Sequence, residues 1–160
     1  MEAQDIMTRE PACCTPDNSV REAARLMQEY DCGCIPVVED TQLRRLVGVI
    51  TDRDLACRCL AAGLGPDTIV AEVMSLSPSC CAPDDDVQYV ERIMEERQVR
   101  RVPVIDVHGC CVGMVSQADL VRAAERSPEV SDREVARMVE RVSAPLASAR
   151  RETEVGLRPE

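Results

Sequence analysis

The chain contains no phenylalanine, tryptophan or lysine, a single histidine, His108, and only two tyrosines, Tyr30 and Tyr89. With aromatics at 1%, the core has to be assembled from Val, Ile, Leu, Met, Ala and Cys. The missing lysine, with all 19 basic residues arginine, reads as genome composition rather than mechanism. The lone histidine falls in the turn Val107-His108-Gly109, and no nucleophile–base–orienter set surrounds it, so no enzyme is expected. No apolar run approaches the roughly 20 residues that cross a bilayer. Met1-Glu-Ala-Gln-Asp5 also lacks the basic start and apolar stretch of a secretory signal. A cytoplasmic protein with mostly reduced thiols is expected.

What is present is acidic and globular. The 160 residues are 45% hydrophobic and 30% charged, enough for one ordinary core or two small ones packed together. The net charge of −10 lies entirely on residues 1–125, which hold 12 Arg and 22 acids, whereas residues 126–160 hold seven of each. Such a domain repels nucleic acid and anionic membrane surfaces, so neither is expected as a partner.

Ten cysteines come as Cys13-Cys14, Cys32-x-Cys34, Cys57-x-Cys59, Cys80-Cys81 and Cys110-Cys111. Zinc ligands are usually two to four residues apart and often include His, whereas adjacent strand residues point to opposite faces. Most of these cysteines therefore read as small buried residues. Cys32 with Cys34, and Cys57 with Cys59, are the pairs to test for thiol chemistry.

The chain repeats itself. Met7-Thr8, Cys13-Cys14, Val20, Met27 and Pro36-Val37-Val38 recur as Met74-Ser75, Cys80-Cys81, Val87, Met94 and Pro103-Val104-Ile105, all at an offset of 67. The offset falls to 65 at Gly48-Val-Ile-Thr-Asp-Arg-Asp54 and Gly113-Met-Val-Ser-Gln-Ala-Asp119, placing two extra residues in the first copy's hairpin near Glu39–Arg45. Each copy reads as strand, helix, strand, strand, helix. Val20, Ala23, Ala24, Met27 and Tyr30 follow helical spacing, as do Val87, Val90, Ile93 and Met94. Strands are expected at Cys34–Val38, Leu46–Ile50, Arg101–Ile105 and Cys111–Val115, with closing helices at Asp52–Ala62 and Gln117–Ala124. Ser131-Asp-Arg-Glu134 then caps a helix with the stripe Val135, Met138, Val139 and Val142, ended by Pro145 and followed by a frayed segment from Arg150.

Each motif puts a hydroxyl where a strand ends and a helix begins, beside free N–H groups and the positive end of the helix dipole. Thr51 and Ser116 are thus candidate phosphate donors, and Asp54 and Asp119 candidate acceptors for ribose hydroxyls. Arg53 supplies positive charge in the first copy, and Arg100-Arg101 in the second, where Gln117-Ala118 replaces Asp52-Arg53. Ile35 and Val102 are candidates to lie against a purine. The competing reading is structural, since Thr51-x-x-Asp54 and Ser116-x-x-Asp119 also read as capping boxes.

Asp5-Ile-Met-Thr8, the Pro36 and Pro103 strands and both glycine-to-aspartate motifs together resemble tandem cystathionine-β-synthase (CBS) domains, with greatest similarity to stand-alone bacterial pairs that include hypoxic-response proteins. The resemblance implies an α+β fold of two pseudo-symmetric repeats packed sheet to sheet, residues 1–65 and 66–125, followed by a C-terminal helix and tail over 126–160. It also implies a regulatory homodimer that binds AMP, ADP, ATP or S-adenosylmethionine in clefts between the repeats and acts on an unidentified partner protein. Unequal sites are expected, the second binding better. The alternatives are a cysteine-based redox or metal sensor, and a pair with empty degenerate sites serving as an interaction scaffold.

Overall fold

A computed structural model of the chain describes residues 1–127 and 130–144, so the expected stop at Pro145 and the segment from Arg150 lie outside the described residues. Helix α1 (Ala3–Ile6) and strand β1 (Thr8–Arg9) open the chain, followed by α2 (Val20–Glu29), β2 (Cys34–Val38) and β3 (Leu46–Thr51). Helix α3 begins at Asp52–Asp54 and widens into a π-helical stretch at Leu55–Leu60. A 3₁₀ turn at Val70–Glu72 leads to β4 (Ser75–Leu76), α4 (Val87–Arg97), β5 (Arg101–Ile105), β6 (Cys111–Ser116), α5 (Gln117–Arg126) and α6 (Asp132–Ser143). No helix of the described residues is long and apolar enough to cross a membrane.

Local chemistry explains these starts. The Ser19 hydroxyl accepts from the Glu22 N–H while the Glu22 carboxylate accepts from the Ser19 N–H, closing a capping box on α2. Asp86 caps α4 by accepting from the Gln88 N–H. Two members of the α2 stripe fall outside the core: Ala24 is exposed, and Tyr30 is 57% exposed at the C-cap, beyond the last turn that lies on the sheet.

The two sheets exchange their short strands. One has the order β2-β3-β4 and the other β1-β6-β5, so each copy's first strand pairs with the last strand of the other copy. The cores follow this exchange. Ala3 packs with Val90, Met94, Val102 and Leu120 of the second repeat, whereas Val70 and Val73 pack with Val20, Val37 and Ile50 of the first. The sequence repeats 1–65 and 66–125 therefore do not coincide with the packing units.

The exchange also accounts for the leading glycines. Gly48 faces Leu76 and Gly113 faces Arg9 across the added strands. A Cβ at Gly48 would lie 2.7 Å from the Ser75 carbonyl oxygen, whereas one at Gly113 would strike the Met7 side chain. Backbone cannot retreat as a methionine can. Gly48→Ala is thus expected to cost about 1–3 kcal/mol in urea unfolding, the range for overpacking, and Gly113→Ala to cost less. A larger loss at Gly113 would contradict this account.

The extra hairpin residues of the first copy stitch the repeats together. The Cys111 N–H donates to the Arg44 carbonyl at 2.8 Å, the Leu46 N–H donates to the Gly109 carbonyl at 3.0 Å, and Arg45 bridges Cys110. Helix α6 packs on α4 and α5, burying Val135, Met138 and Val142, with the Ser131 hydroxyl accepting from the Glu134 N–H at its start.

Candidate functional site

The two motifs build the same turn twice. At the end of β3 the Thr51 hydroxyl accepts from the Asp54 N–H at 3.1 Å and donates to Asp54 Oδ2 at 2.7 Å, and that oxygen also accepts from the Thr51 N–H at 2.9 Å. At the end of β6 the matching distances for Ser116 and Asp119 are 3.3, 2.6 and 2.8 Å. Both capping boxes are therefore formed, and each occupies one carboxylate oxygen. The other oxygen meets an arginine one turn along the helix: Asp54 Oδ1 lies 3.3 Å from Arg58 Nε, and Asp119 Oδ1 lies 2.7 Å from Arg122 Nη2. The two aspartate side chains are only 11% and 12% exposed.

The remaining candidates are distributed unevenly. Arg53 is exposed beside the first motif, and Arg100 is exposed beside the second, where its carbonyl accepts from the Gln117 N–H at 3.1 Å. Arg101 opposes Ser116 on the ladder, yet its guanidinium reaches across to the first motif: Nη2 lies 3.4 Å from where a Gly33 Cβ would stand, and Asp52 Oδ2 lies 2.6 Å from that same point. Position 33 is where the first copy carries glycine in place of Arg100, and a Cβ there would displace the Asp52 carboxylate. Ile35 and Val102 belong to the cores of the first and second repeats and are 1% and 0% exposed.

Arg58 and Arg122 were not picked out from the sequence. Their signal was present, as a basic residue four or three positions after each motif aspartate, where a helix brings side chains together. The cysteine pairs chosen by spacing separate. Cys34 is buried and burial pushes its thiol up to about 12, against the opposing pull of Arg101. Cys59 is buried with its sulfur toward the Leu64 and Gly65 carbonyls, whereas Cys57 is exposed. Two cavities of about 310 and 390 Å³ lie on the helices of the second repeat, away from both motifs. The polar geometry of the motifs, rather than cavity size, marks the candidate site.

The family model for the CBS domain matches residues 3–59 and again 70–126. The chain belongs to the CBS-domain family. Its fold is the tandem pair of repeats joined through their sheets, with α6 added. Hypoxic response protein 1 of Mycobacterium tuberculosis is 36% identical over 148 residues, covering 92% of this chain and 97% of that protein. Among solved structures, Hypoxic Response Protein I with two coordinated zinc ions is 38% identical at a TM-score of 0.69, covering 76% of this chain and 98% of that one. CBSX2 in complex with AMP is 27% identical at a TM-score of 0.68, covering 78% and 96%. The CBS pair of protein MJ0100 with 5-methylthioadenosine and S-adenosylmethionine is 27% identical at a TM-score of 0.71, covering 79% and 97%. Among the described residues of this CBS pair, no group of three or more His, Cys, Asp or Glu is placed to hold a metal ion.

Proposed function

We propose that this CBS pair is a regulatory module rather than an enzyme. It binds an adenine nucleotide or S-adenosylmethionine between its repeats and signals through dimer geometry or a partner protein in the cytoplasm. The observation that carries this reading is the duplicated strand-to-helix turn, with its hydroxyl, its helix N-terminus and the Oδ1 of an aspartate near the surface. Thr51 and Ser116 meet phosphate, Asp54 and Asp119 accept from ribose through Oδ1, and Arg53, Arg100 and Arg101 supply positive charge. The AMP bound by CBSX2 and the adenosyl ligands bound by MJ0100 support this ligand class. The placement of Arg101 beside Gly33 supports unequal sites, with the first carrying more charge than its sequence alone indicated.

A ligand that binds only the folded state at one hundred times its Kd adds about 2.7 kcal/mol. A rise in melting temperature is therefore expected with at least one of AMP, ADP, ATP and S-adenosylmethionine. A melting temperature unmoved by all four would overturn the reading. For the assembly we infer a homodimer through the helices of the first repeat, where Tyr30 and Leu60 are 57% and 74% exposed.

A further inference from the structure

Three segments from different parts of the chain meet at the seam between the repeats. After β1 the chain turns at Glu10, with φ of 46°, and crosses from β6 of the second sheet to β2 of the first, where Cys14 bridges Val37. The crossing is held by Arg44 of the enlarged first hairpin. Arg44 Nη2 donates to the Pro11 carbonyl at 2.7 Å, and Nε donates to the Cys111 carbonyl at 3.1 Å. Inside this bracket the Cys13 and Cys111 side chains are neighbours, each the largest influence on the other's ionisation. Cys13 Sγ also lies 3.3 Å from the Pro11 carbonyl, and Cys111 Sγ lies 3.5 Å from the Gly113 carbonyl. Cys13 is partly exposed and Cys111 is buried at 1%. The pair is not duplicated, since the residue matching Cys111 in the first copy is Leu46.

We propose that Cys13 and Cys111 are a peroxide-oxidisable dithiol that locks the seam between the two repeats. The pair has the division of labour such chemistry needs, one reachable sulfur and one sheltered partner. The Cys111 thiol and the Arg44 cation hold the Cys13 thiol below its ordinary range, against the opposing effect of burial. Cys111 is pushed the other way, by the neighbouring Cys13 and by burial, and keeps its proton. The Cys14 thiol is raised to about 12 by burial and makes a poor nucleophile.

In the first step the Cys13 thiolate attacks one oxygen of hydrogen peroxide. The O–O bond breaks, and the departing hydroxide takes up the proton that Cys13 had released, giving water and a sulfenic acid on Cys13. In the second step the Cys111 sulfur bonds to the Cys13 sulfur as the S–OH bond breaks, and the Cys111 proton leaves with that hydroxide as a second water. Two thiols are oxidised and one peroxide is reduced to two waters. The disulfide ties the amino-terminal crossing to β6, directly beneath the Arg44 bracket that joins the repeats.

The test treats the reduced full chain, without nucleotide, with an equivalent of hydrogen peroxide, followed by thiol counting and non-reducing peptide mapping. The expected result is a loss of two thiols and a single intramolecular cross-link between Cys13 and Cys111. It should persist in Cys14→Ala and Cys110→Ala and be lost in Cys13→Ser and Cys111→Ser. Arg44→Gln is expected to slow alkylation of Cys13 severalfold, because losing the cation favours the protonated thiol. That measurement stands even if a serine variant folds poorly. A cross-link that survives Cys13→Ser, oxidation confined to the exposed Cys57, or no loss of thiol at all would overturn the proposal. Nucleotide binding plays no part in the assay, so its failure leaves the regulatory reading to be judged on its own test.

Discussion

Asp54→Asn combined with Asp119→Asn is expected to weaken AMP binding ten- to a hundredfold in calorimetry while leaving the chain folded. Each aspartate divides its oxygens between two tasks. Oδ2 accepts from the backbone N–H and the hydroxyl of Thr51 or Ser116, and Oδ1, the oxygen proposed to accept from ribose, lies beside an arginine. Asparagine keeps one oxygen to accept the capping bonds but loses the charge, and with it the stronger of the hydrogen bonds offered to ribose, worth about 1.5–3 kcal/mol. Alanine removes both functions. Losing an N-cap arrangement costs about 1 kcal/mol per helix, so Asp54→Ala with Asp119→Ala lowers stability as well as affinity and cannot separate the two roles. Full affinity in the asparagine double variant would mean that these carboxylates serve only as caps.

The separate effects of Arg58→Gln and Arg122→Gln follow from the same geometry. Each arginine holds Oδ1 now and would have to share that oxygen with a ligand. A salt bridge this near the surface contributes little to stability, so the loss of Arg122 should show in affinity more than in melting temperature, whereas Arg58 also donates to the Val73 and Met74 carbonyls and its loss lowers stability as well.

The repeat, its strands and both closing helices could be read in the sequence because they rest on local signals: short apolar runs at Cys34–Val38 and Arg101–Ile105, and a hydroxyl three residues before an acid at each helix start. The strand exchange could not. Thr8-Arg9 and Ser75-Leu76 are two-residue strands that look alike in both copies, and only the pairing shows that each adds to the other copy's sheet. The same non-locality hid the reach of Arg101 to Gly33, which needs two strand starts 67 residues apart to stand together. The pairing of Cys13 with Cys111 was equally illegible, because spacing favours near neighbours and this contact closes across the repeats.

Glu91→Gln is expected to stabilise the chain at pH 8 by up to about 3 kcal/mol and to have little effect at pH 5. Glu91 sits on the buried side of α4 with Val87, Val90 and Met94, and is only 7% exposed. Its position continues the i, i+3, i+4 stripe of Val87, Val90 and Met94. Burial raises its carboxyl from 4.5 to about 7, and the neighbouring charges of Glu134, Glu95 and Asp86 push in the same direction. Because the folded state holds this proton more tightly, the contribution is fully present below about 4.5 and is lost as the pH rises through about 7. Above that, an ionised carboxylate remains against α6, whose Glu134 lines the same cavity of about 310 Å³. The Arg141–Glu95 ion pair at 2.7 Å fastens α6 nearby without neutralising Glu91. The cost should therefore fall on the docking of α6. The difference in melting temperature between wild type and Glu91→Gln should grow from a small value at pH 5 to as much as roughly 6–12 °C at pH 8, taking about 2–4 °C per kcal/mol for a chain of this size. Hydrogen exchange in Asp132–Ser143 should quicken over the same interval in the wild type alone. Other carboxylates titrate in both proteins and cancel in the difference, so a gap that stays constant from pH 5 to pH 8 would rule out Glu91 as its source.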